Sequence, residues 1–258
     1  MISRLTVANH RGAPVPRSLG IVLAASAWIA TFVAAGLGAA GAAAWGTLGG
    51  CLLVFAAGLV DDMAPRGPRG LREHATALAE GRVTTGIVKL IVAVGTATVV
   101  VALEPPRSWW VRLAGVALVA SSTNVWNGLD VRPGRSLKAF VPFGIAFVLL
   151  GDIARAPALL GIAIGALVVL WHDLRERAML GDGGATLLGF AAGLASYLLL
   201  PGWAVPVAAL AAVALNVVGE TVTFSQAIDA VPGLRWVDRL GRRPGPGEIA
   251  SRAEAGPS

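Results

Sequence analysis

The stretch "FAAGLVDDMAPRG", residues 55–67, joins an uninterrupted apolar run to two adjacent carboxylates, Asp61 and Asp62. Pro65 follows closely, and a proline cannot continue a helix without removing one of its hydrogen bonds. Negative side chains at the C-terminal end of a helix also oppose the helix dipole. The stretch therefore predicts a membrane helix that leaves the lipid at Asp61 and Asp62, where the two charges need a partner.

The composition of the whole chain is that of a membrane protein. Of its 258 residues, 55% are hydrophobic and only 14% are charged, with a mean hydropathy of +0.71, whereas a soluble domain carries about 25% charged residues. Since a helix needs roughly 20 apolar residues to cross the hydrocarbon core, we predict an all-α, polytopic membrane protein with about eight transmembrane helices. The apolar segments cover residues 19–41, 45–60, 86–103, 109–123, 138–151, 157–171, 184–200 and 203–218.

Charge is distributed unevenly over this topology. The net charge is +6 and, with both ends of the chain on one side, only Arg107, Arg112 and Arg155 of the 21 Lys and Arg residues fall on the other side. Such an asymmetry predicts that the basic side faces the cytoplasm. The excess of positive charge is therefore explained by membrane topology, and nucleic-acid binding is not predicted.

Acidic motifs fall on the same predicted cytoplasmic side, each near a helix end. They are the Asp61–Asp62 pair, Asp130 in "NVWNGLD" (residues 124–130) and Asp182 in "MLGDGGATLLGF" (residues 179–190). Carboxylates from separate loops suit Mg²⁺, which takes one or two of them and completes its octahedron with water and substrate phosphates. The three histidines are scattered singly along the sequence, so no ligand set for a transition metal competes.

Each motif taken alone has a simpler interpretation. The two adjacent acids could mark a solvated helix end, and Asp182 could cap a helix that begins near Gly184 after a glycine-rich turn. Asn124 and Asn127 could be amides that pack between helices. Because all three motifs share one membrane face, a common ligand is favoured over three independent explanations.

Basic side chains surround these acids in the predicted loops. Most of them are explained by topology and by attraction to lipid headgroups, and His74 and His172 are interpreted as surface residues. Lys89 is different because it lies inside a predicted helix, where a lone charge needs a partner. A metal, a free carboxylate and a lysine that meets phosphate together indicate a phosphoryl-transfer site.

Five segments in a fixed order carry a likeness to known enzymes. Between residues 9 and 190 they read "NHRGAPVPRSLG", "GLVDD", "TTGIVKL", "NVWNGLD" and "GDGGATLLG". Each is weak alone, but in this order, between apolar helices and on one side of the membrane, they are specific together. The sequence resembles the polyprenyl-phosphate N-acetylhexosamine-1-phosphate transferases, the family that includes the phospho-N-acetylmuramoyl-pentapeptide transferase.

The resemblance implies a reaction and roles for four residues. A polyprenyl phosphate would attack the β-phosphate of a UDP-aminosugar, giving a polyprenyl-diphospho-sugar and UMP. Asp61, Asp62 and Lys89 are the implied catalytic residues, with Asp61 beside the lipid phosphate as base or nucleophile and Lys89 in contact with phosphate. Asp182 and Asp62 would hold the Mg²⁺ cofactor.

The same resemblance implies the substrate pocket and the cellular setting. Asn124, Asn127 and Asp130 would bind the nucleotide-sugar. The implied partners are polyprenyl phosphate, a UDP-aminosugar and membrane lipids, without nucleic acid and with a homodimer as an open possibility. The protein would be a multi-pass protein of the bacterial inner (plasma) membrane with a cytoplasmic active site, serving cell-envelope glycan synthesis.

The sequence departs from the family's pattern at three places, of which the second and third favour a catalytically inactive relative. A third acid of the first motif is replaced by Pro65, and Asp130 is followed by "VRPGR" (residues 131–135) instead of a second acid. The usual histidine-rich loop is missing, and "RWVDRLGRR" (residues 235–243) stands in a comparable place. The alternatives are a catalytically inactive relative that binds lipid-linked glycan or partner proteins, and a membrane transporter, which would place its charges at mid-membrane.

The domain boundary is predicted near residue 218. Residues 1–218 would form the transmembrane catalytic domain, and residues 219–258 a cytoplasmic tail. In the tail, apolar residues alternate with arginines and Pro232 interrupts the pattern, which predicts two short interfacial helices that cap the site or anchor the chain. The composition of residues 244–258 is typical of disorder.

Overall fold

The computed structural model describes residues 5–9, 11–64, 67 and 70–242, and most of this part of the chain is helical. The predictions for Pro65 and for residues 244–258 lie outside the described residues. In chain order the elements are β1 (Thr6–Ala8), β2 (Pro14–Pro16), α1 (Leu19–Gly36), α2 (Ala42–Met63), α3 (Gly70–Ala79), α4 (Thr85–Leu103), α5 (Trp109–Leu129), α6 (Arg135–Leu150), α7 (Pro157–Leu174), α8 (Gly181–Leu199), α9 (Ala204–Gly219), α10 (Phe224–Ala230) and α11 (Pro232–Arg239).

Each of the eight predicted apolar segments corresponds to a helix, namely α1, α2 and α4 to α9. In the described part of the chain, four helices are long and apolar enough to cross a membrane on their own: Leu19–Gly36, Ala42–Met63, Thr85–Leu103 and Pro157–Leu174. A fifth span results if α9 and α10, which are bent by 101° relative to each other, are counted together. The all-α, membrane-type architecture is therefore confirmed, whereas the number of eight spans is not.

Helix lengths explain part of this difference, while α5 and α8, with 21 and 19 residues, are long enough but not apolar enough to be counted as spans. Helices α6 and α9 have 16 residues each, which gives about 24 Å at 1.5 Å per residue, less than the roughly 30 Å of the hydrocarbon core. Helix α1 also ends before the predicted limit at residue 41, since the chain turns at Gly38 with a φ of +72°. Helix α5 instead continues beyond its predicted end, so that Asn124 and Asn127 lie on the helix itself.

Helix α8 lies at the centre of the bundle, and nearly all of its residues from Gly181 to Ala195 are buried. Its small residues allow other helices to approach its backbone closely, as is common in membrane helices. A methyl group added at Gly189 would lie 2.4 Å from the carbonyl oxygen of Ser122 in α5. The acidic motif at the start of α8 is therefore held in place by the packing of the helix that carries it.

The hairpin of β1 and β2 attaches the N-terminal segment to the loop before α8. The amide of Met179 donates to the carbonyl oxygen of Pro16 at 2.9 Å, and the amides of Ser18 and Leu19 donate to the carbonyl oxygen of Met179 at 3.1 Å. This pairing brings Arg17 to the N-terminal end of α8.

Candidate active site

Lys89 is the centre of the candidate active site. Its Nζ donates to Oδ2 of Asp61 at 3.0 Å and to Oδ2 of Asp182 at 2.8 Å. The three residues come from α4, α2 and α8, so that the lone charge inside α4 has two partners. The Lys89 side chain is 13% exposed and that of Asp182 is 36% exposed. The structure thus brings together three of the predicted site residues in a cluster that remains partly open.

Asp62 is engaged by different partners. Its Oδ1 accepts a hydrogen bond from Nη1 of Arg17 at 2.9 Å, and its Oδ2 accepts one from the amide of Gly183 at 3.1 Å. Its side chain is only 2% exposed. Asp62 therefore satisfies a free N–H group at the start of α8. The metal role implied for Asp62 stays a prediction, and Arg17 is a site residue that the sequence analysis missed.

Two glycines allow α2 and α8 to meet this closely. Gly181 has a φ of +70°, and a methyl group there would lie 2.6 Å from Oδ2 of Asp62. A methyl group at Gly58 would lie 2.5 Å from the carbonyl oxygen of Asp182. Since non-bonded atoms do not approach to these distances, the two acidic motifs meet only because glycine stands at both positions.

A cavity of about 730 Å³ opens beside Lys89, within the range of roughly 300–1,000 Å³ that is usual for small-molecule sites. The lysine cluster lies in this cavity together with apolar side chains of α4, α5 and α9. The lining residues are Asp61, Gly70, His74, Gly86, Ile87, Lys89, Leu90, Val94, Leu113, Val116, Ala117, Ala120, Ser121, Thr123, Asn124, Asn127, Asp182, Thr186, Val213, Asn216, Val217 and Glu220. The cavity is therefore amphipathic.

Asn216 in α9 is a cavity residue that the sequence analysis missed. Its Nδ2 donates to the carbonyl oxygens of Ser121 at 3.0 Å and Ala212 at 2.9 Å. Because carbonyl oxygens only accept, this assignment of the amide is dictated by its surroundings. Its Oδ1 consequently accepts from Nδ2 of Asn124 at 2.6 Å. The oxygen of the Asn124 amide is then left for a ligand.

Two further polar residues belong to the same cavity. Oδ1 of Asn127 is buried without a hydrogen-bond partner, which costs about 1–3 kcal/mol unless water or a ligand donates to it. His74 is half-buried, and its Nδ1 lies 2.8 Å from Oγ1 of Thr84. The interpretation of His74 as a surface residue therefore does not hold, whereas His172 is exposed as expected.

Asp130 is not among the residues that line this cavity. Helix α5 ends at Leu129, and Asp130 follows with a non-helical backbone in a separate pocket of about 40 Å³ that also contains Asp173. Burial, together with the carboxylate of Asp173, raises the pKa of Asp130 well above its usual range. Asp173 in turn accepts a hydrogen bond from the amide of Gly134 at 2.6 Å. Asp130 therefore lines a different pocket from the two asparagines of its motif.

The segment "VRPGR" contacts the tail through two arginines, and the partner of the second arginine lies in "RWVDRLGRR". Arg132 donates to both oxygens of Asp229 at 3.3 and 3.0 Å, and Arg135 donates to both oxygens of Asp238 at 2.7 and 3.2 Å. Arg135 and Asp238 are 4% and 3% exposed in their side chains. Burial alone would raise the pKa of Asp238, but the hydrogen bonds and charge of Arg135 hold it below its usual value.

The carboxylates near Lys89 fit a magnesium ion whose coordination shell is completed by oxygens of water and substrate. No group of three or more His, Cys, Asp or Glu side chains arranged for a metal ion occurs in the described residues. Mg²⁺ usually takes one or two carboxylates and obtains its other oxygens from water and phosphates. Asp182, the more exposed carboxylate of the cluster, fits this demand with Asp61 beside it, since both contact the same lysine nitrogen.

The family model described as glycosyl transferase family 4 matches residues 44–200, more than half of the chain. The match begins in α2 and ends directly after α8, so it includes Asp61, Lys89 and Asp182, while α9, α10 and α11 lie beyond it. No curated protein matches the chain.

Proposed function

This chain belongs to glycosyl transferase family 4, and on that basis we propose that it transfers a sugar-1-phosphate from a UDP-aminosugar to a polyprenyl phosphate, releasing UMP. Membership of the family indicates transfer of a phospho-sugar to a lipid carrier. The choice of an aminosugar, of UDP and of a polyprenyl chain belongs to the proposal. So does the setting: eight spans in a bacterial inner membrane, an active site that faces the cytoplasm, and a role in cell-envelope glycan synthesis.

The observation that carries the proposal is that one cavity combines a charged cluster with many apolar side chains. Asp61, Lys89 and Asp182 form the charged cluster, and residues such as Leu90 and Val213 are among the apolar ones. A polyprenyl phosphate has the same two parts, a phosphate and a long apolar chain.

Lys89 would bind phosphate in the loaded site. An ammonium group has three donors and no acceptor, and two of its donors already contact carboxylate oxygens. Phosphate oxygens would take part of this coordination and would place negative charge where Lys89 compensates it. Asp182 would hold Mg²⁺, which when bound would stabilise charge on the transferring phosphoryl group, and Asp61 would remain for acid–base work.

The proposed reaction is a displacement at phosphorus. Asp61 takes the proton from the lipid phosphate, and an oxygen of that phosphate forms a bond to the β-phosphorus of the UDP-aminosugar. The bond between the β-phosphorus and the oxygen of UMP breaks, and UMP leaves with the electron pair. The oxygens of Asn124 and Asn127 would accept hydrogen bonds from the nucleotide-sugar and orient it. Asp130, which lines its own pocket close to Asn127, would also bind the nucleotide-sugar.

The experiment that tests the proposal is UMP release by the purified chain in detergent. Undecaprenyl phosphate and Mg²⁺ are supplied with a panel of UDP-aminosugars, and Asp182→Asn is compared with Asp152→Asn. Asp152 is a matched control because its side chain is 57% exposed and lies on the predicted opposite side of the membrane. We expect metal-dependent release from one donor, lost in Asp182→Asn and retained in Asp152→Asn.

Two results would contradict the proposal. Absence of UMP release across the panel, from folded protein shown to bind the lipid, would favour the catalytically inactive relative. Uptake of a solute by vesicles that contain the chain, without any UMP release, would favour the transporter.

A further inference from the structure

Helix α11 contacts the rest of the protein through the charged side chain of Asp238, and its apolar side chains are exposed. Asp238 is its one buried residue. Leu234, Trp236 and Val237 are 51%, 65% and 44% exposed. A helix on the surface of a soluble protein has the reverse arrangement, with its apolar side toward the core.

The attachment fixes which side of the helix is outward. Besides Arg135, Arg242 also donates to Asp238, at 2.9 Å. Nζ of Lys138 donates to the carbonyl oxygens of Val237 at 2.8 Å and of Leu240 at 3.3 Å, where the free carbonyl groups of a helix end attract a cation. With both its acid and its C-terminal carbonyl groups engaged, α11 cannot turn its apolar residues inward without losing these bonds.

The chain that leads to α11 leaves the bundle sideways. Helix α10 makes an angle of 101° with α9, and a capping box between Thr223 and Gln226 defines the point at which it starts. Helix α11 contacts Arg135 and Lys138 in the first turn of α6. Its apolar surface is therefore presented at an end of the helix bundle, the place where a membrane protein meets the lipid headgroups.

We propose that α11 lies in the membrane interface, with Leu234, Trp236 and Val237 inserted between lipid headgroups and the upper part of the acyl chains. Tryptophan is enriched at this depth because its ring is apolar and its N–H is polar. The helix is therefore a lipid-binding element that stands apart from the transfer reaction.

The proposal can be tested by the accessibility of spin labels in vesicles of phosphatidylethanolamine and phosphatidylglycerol. Cys51 is fully buried, and its replacement by serine gives a background into which single cysteines are placed. Trp236→Cys and Leu234→Cys report on α11. Val99→Cys in α4, at a position 58% exposed on a candidate span, is the lipid control, and Glu80→Cys, at an exposed turn, is the water control.

We expect labels at positions 234 and 236 to resemble the lipid control, with greater access to oxygen than to a water-soluble nickel chelate. Access to the chelate equal to that of the Glu80→Cys label would place α11 in water and would overturn the proposal. Protection from both reagents would mean that a second copy of the chain covers the helix, and would overturn it as well. The measurement does not require transferase activity, so its failure is independent of the proposed function.

Discussion

The cluster of Lys89 with its two aspartates and the pair of Arg135 with Asp238 both join distant parts of the chain by ionic contacts, but they differ in access to solvent and ligands. The first group opens into a cavity of about 730 Å³, and the Asp182 side chain is 36% exposed. The second is closed, with both side chains at 4% exposure or less. The chemistry of the cations differs too, since an ammonium is a compact point charge and a guanidinium forms a fixed, two-pronged bond to a carboxylate.

This difference distinguishes a cluster that can bind a ligand from a buried pair that holds two parts of the structure together. An open pair with a rotatable lysine can exchange one anion for another, as a substrate phosphate requires. A closed pair with a planar guanidinium keeps one partner and fixes the position of what it joins, here the tail and the start of α6. Removing one member from each group tests whether the open group serves function and the closed pair serves structure.

The largest effect is expected from Asp238→Ala. Removal of one partner leaves Arg135 buried without its counter-charge, which costs about 3–5 kcal/mol. We expect this cost to appear as release of α11, measured as faster hydrogen exchange of the amides of residues 232–239, while α8 keeps its protection. In the double variant Arg135→Met with Asp238→Leu, the buried charge is gone and protection should largely return; continued rapid exchange there would contradict the explanation.

The next effect is expected from Lys89→Met. Loss of a positioned cation at a reacting phosphate should lower kcat by about 10²–10³-fold, or roughly 2.7–4 kcal/mol. Steady-state UMP release measures it. Hydrogen exchange of α11 should not change, because Lys89 has no part in the tail contacts. An active Lys89→Met enzyme would remove the distinction between an open, functional pair and a closed, structural one.

The smallest effect is expected from Asn216→Ala, a change at a residue that positions Asn124. A hydrogen bond of this kind contributes about 0.5–1.5 kcal/mol, so KM for the nucleotide-sugar should rise by up to about tenfold with kcat unchanged. If Asn216 acts through Asn124, the double variant with Asn124→Ala should be no worse than Asn124→Ala alone. Leu215→Ala, at the exposed neighbouring position, is the control. Additive effects in the double variant would exclude the positioning role.

The sequence allowed the cluster around Lys89 to be anticipated because each member carries a local signal. Asp61 ends an apolar run, Lys89 interrupts one, and Asp182 lies in a glycine-rich start of another. A charge beside lipid has to find a partner, and the predicted membrane side restricted the candidates to a few. Their contact in the structure agrees with that expectation, while the chemical role of each remains to be tested.

Other site residues could not be found in this way. Asn216 is one polar residue in an apolar helix, and its partner Asn124 lies 92 positions away. Arg17 resembled the other basic residues that topology explains, and its contact with Asp62 depends on the hairpin that ties the N-terminal segment to α8. Asp130 was grouped with its motif by spacing, but the end of α5 at Leu129 sends it into another pocket.

The bond between Arg135 and Asp238 also has a consequence for the order of synthesis. The two residues are 103 positions apart, so at about 5–20 residues per second a ribosome needs roughly 5–20 s to make the second after the first. During this interval Arg135, at the start of α6, lacks its ion-pair partner, and the turn between Asp130 and Arg135 is not yet held by the tail. The surroundings of Asp130 are therefore completed late, after the tail with Asp238 has been synthesised.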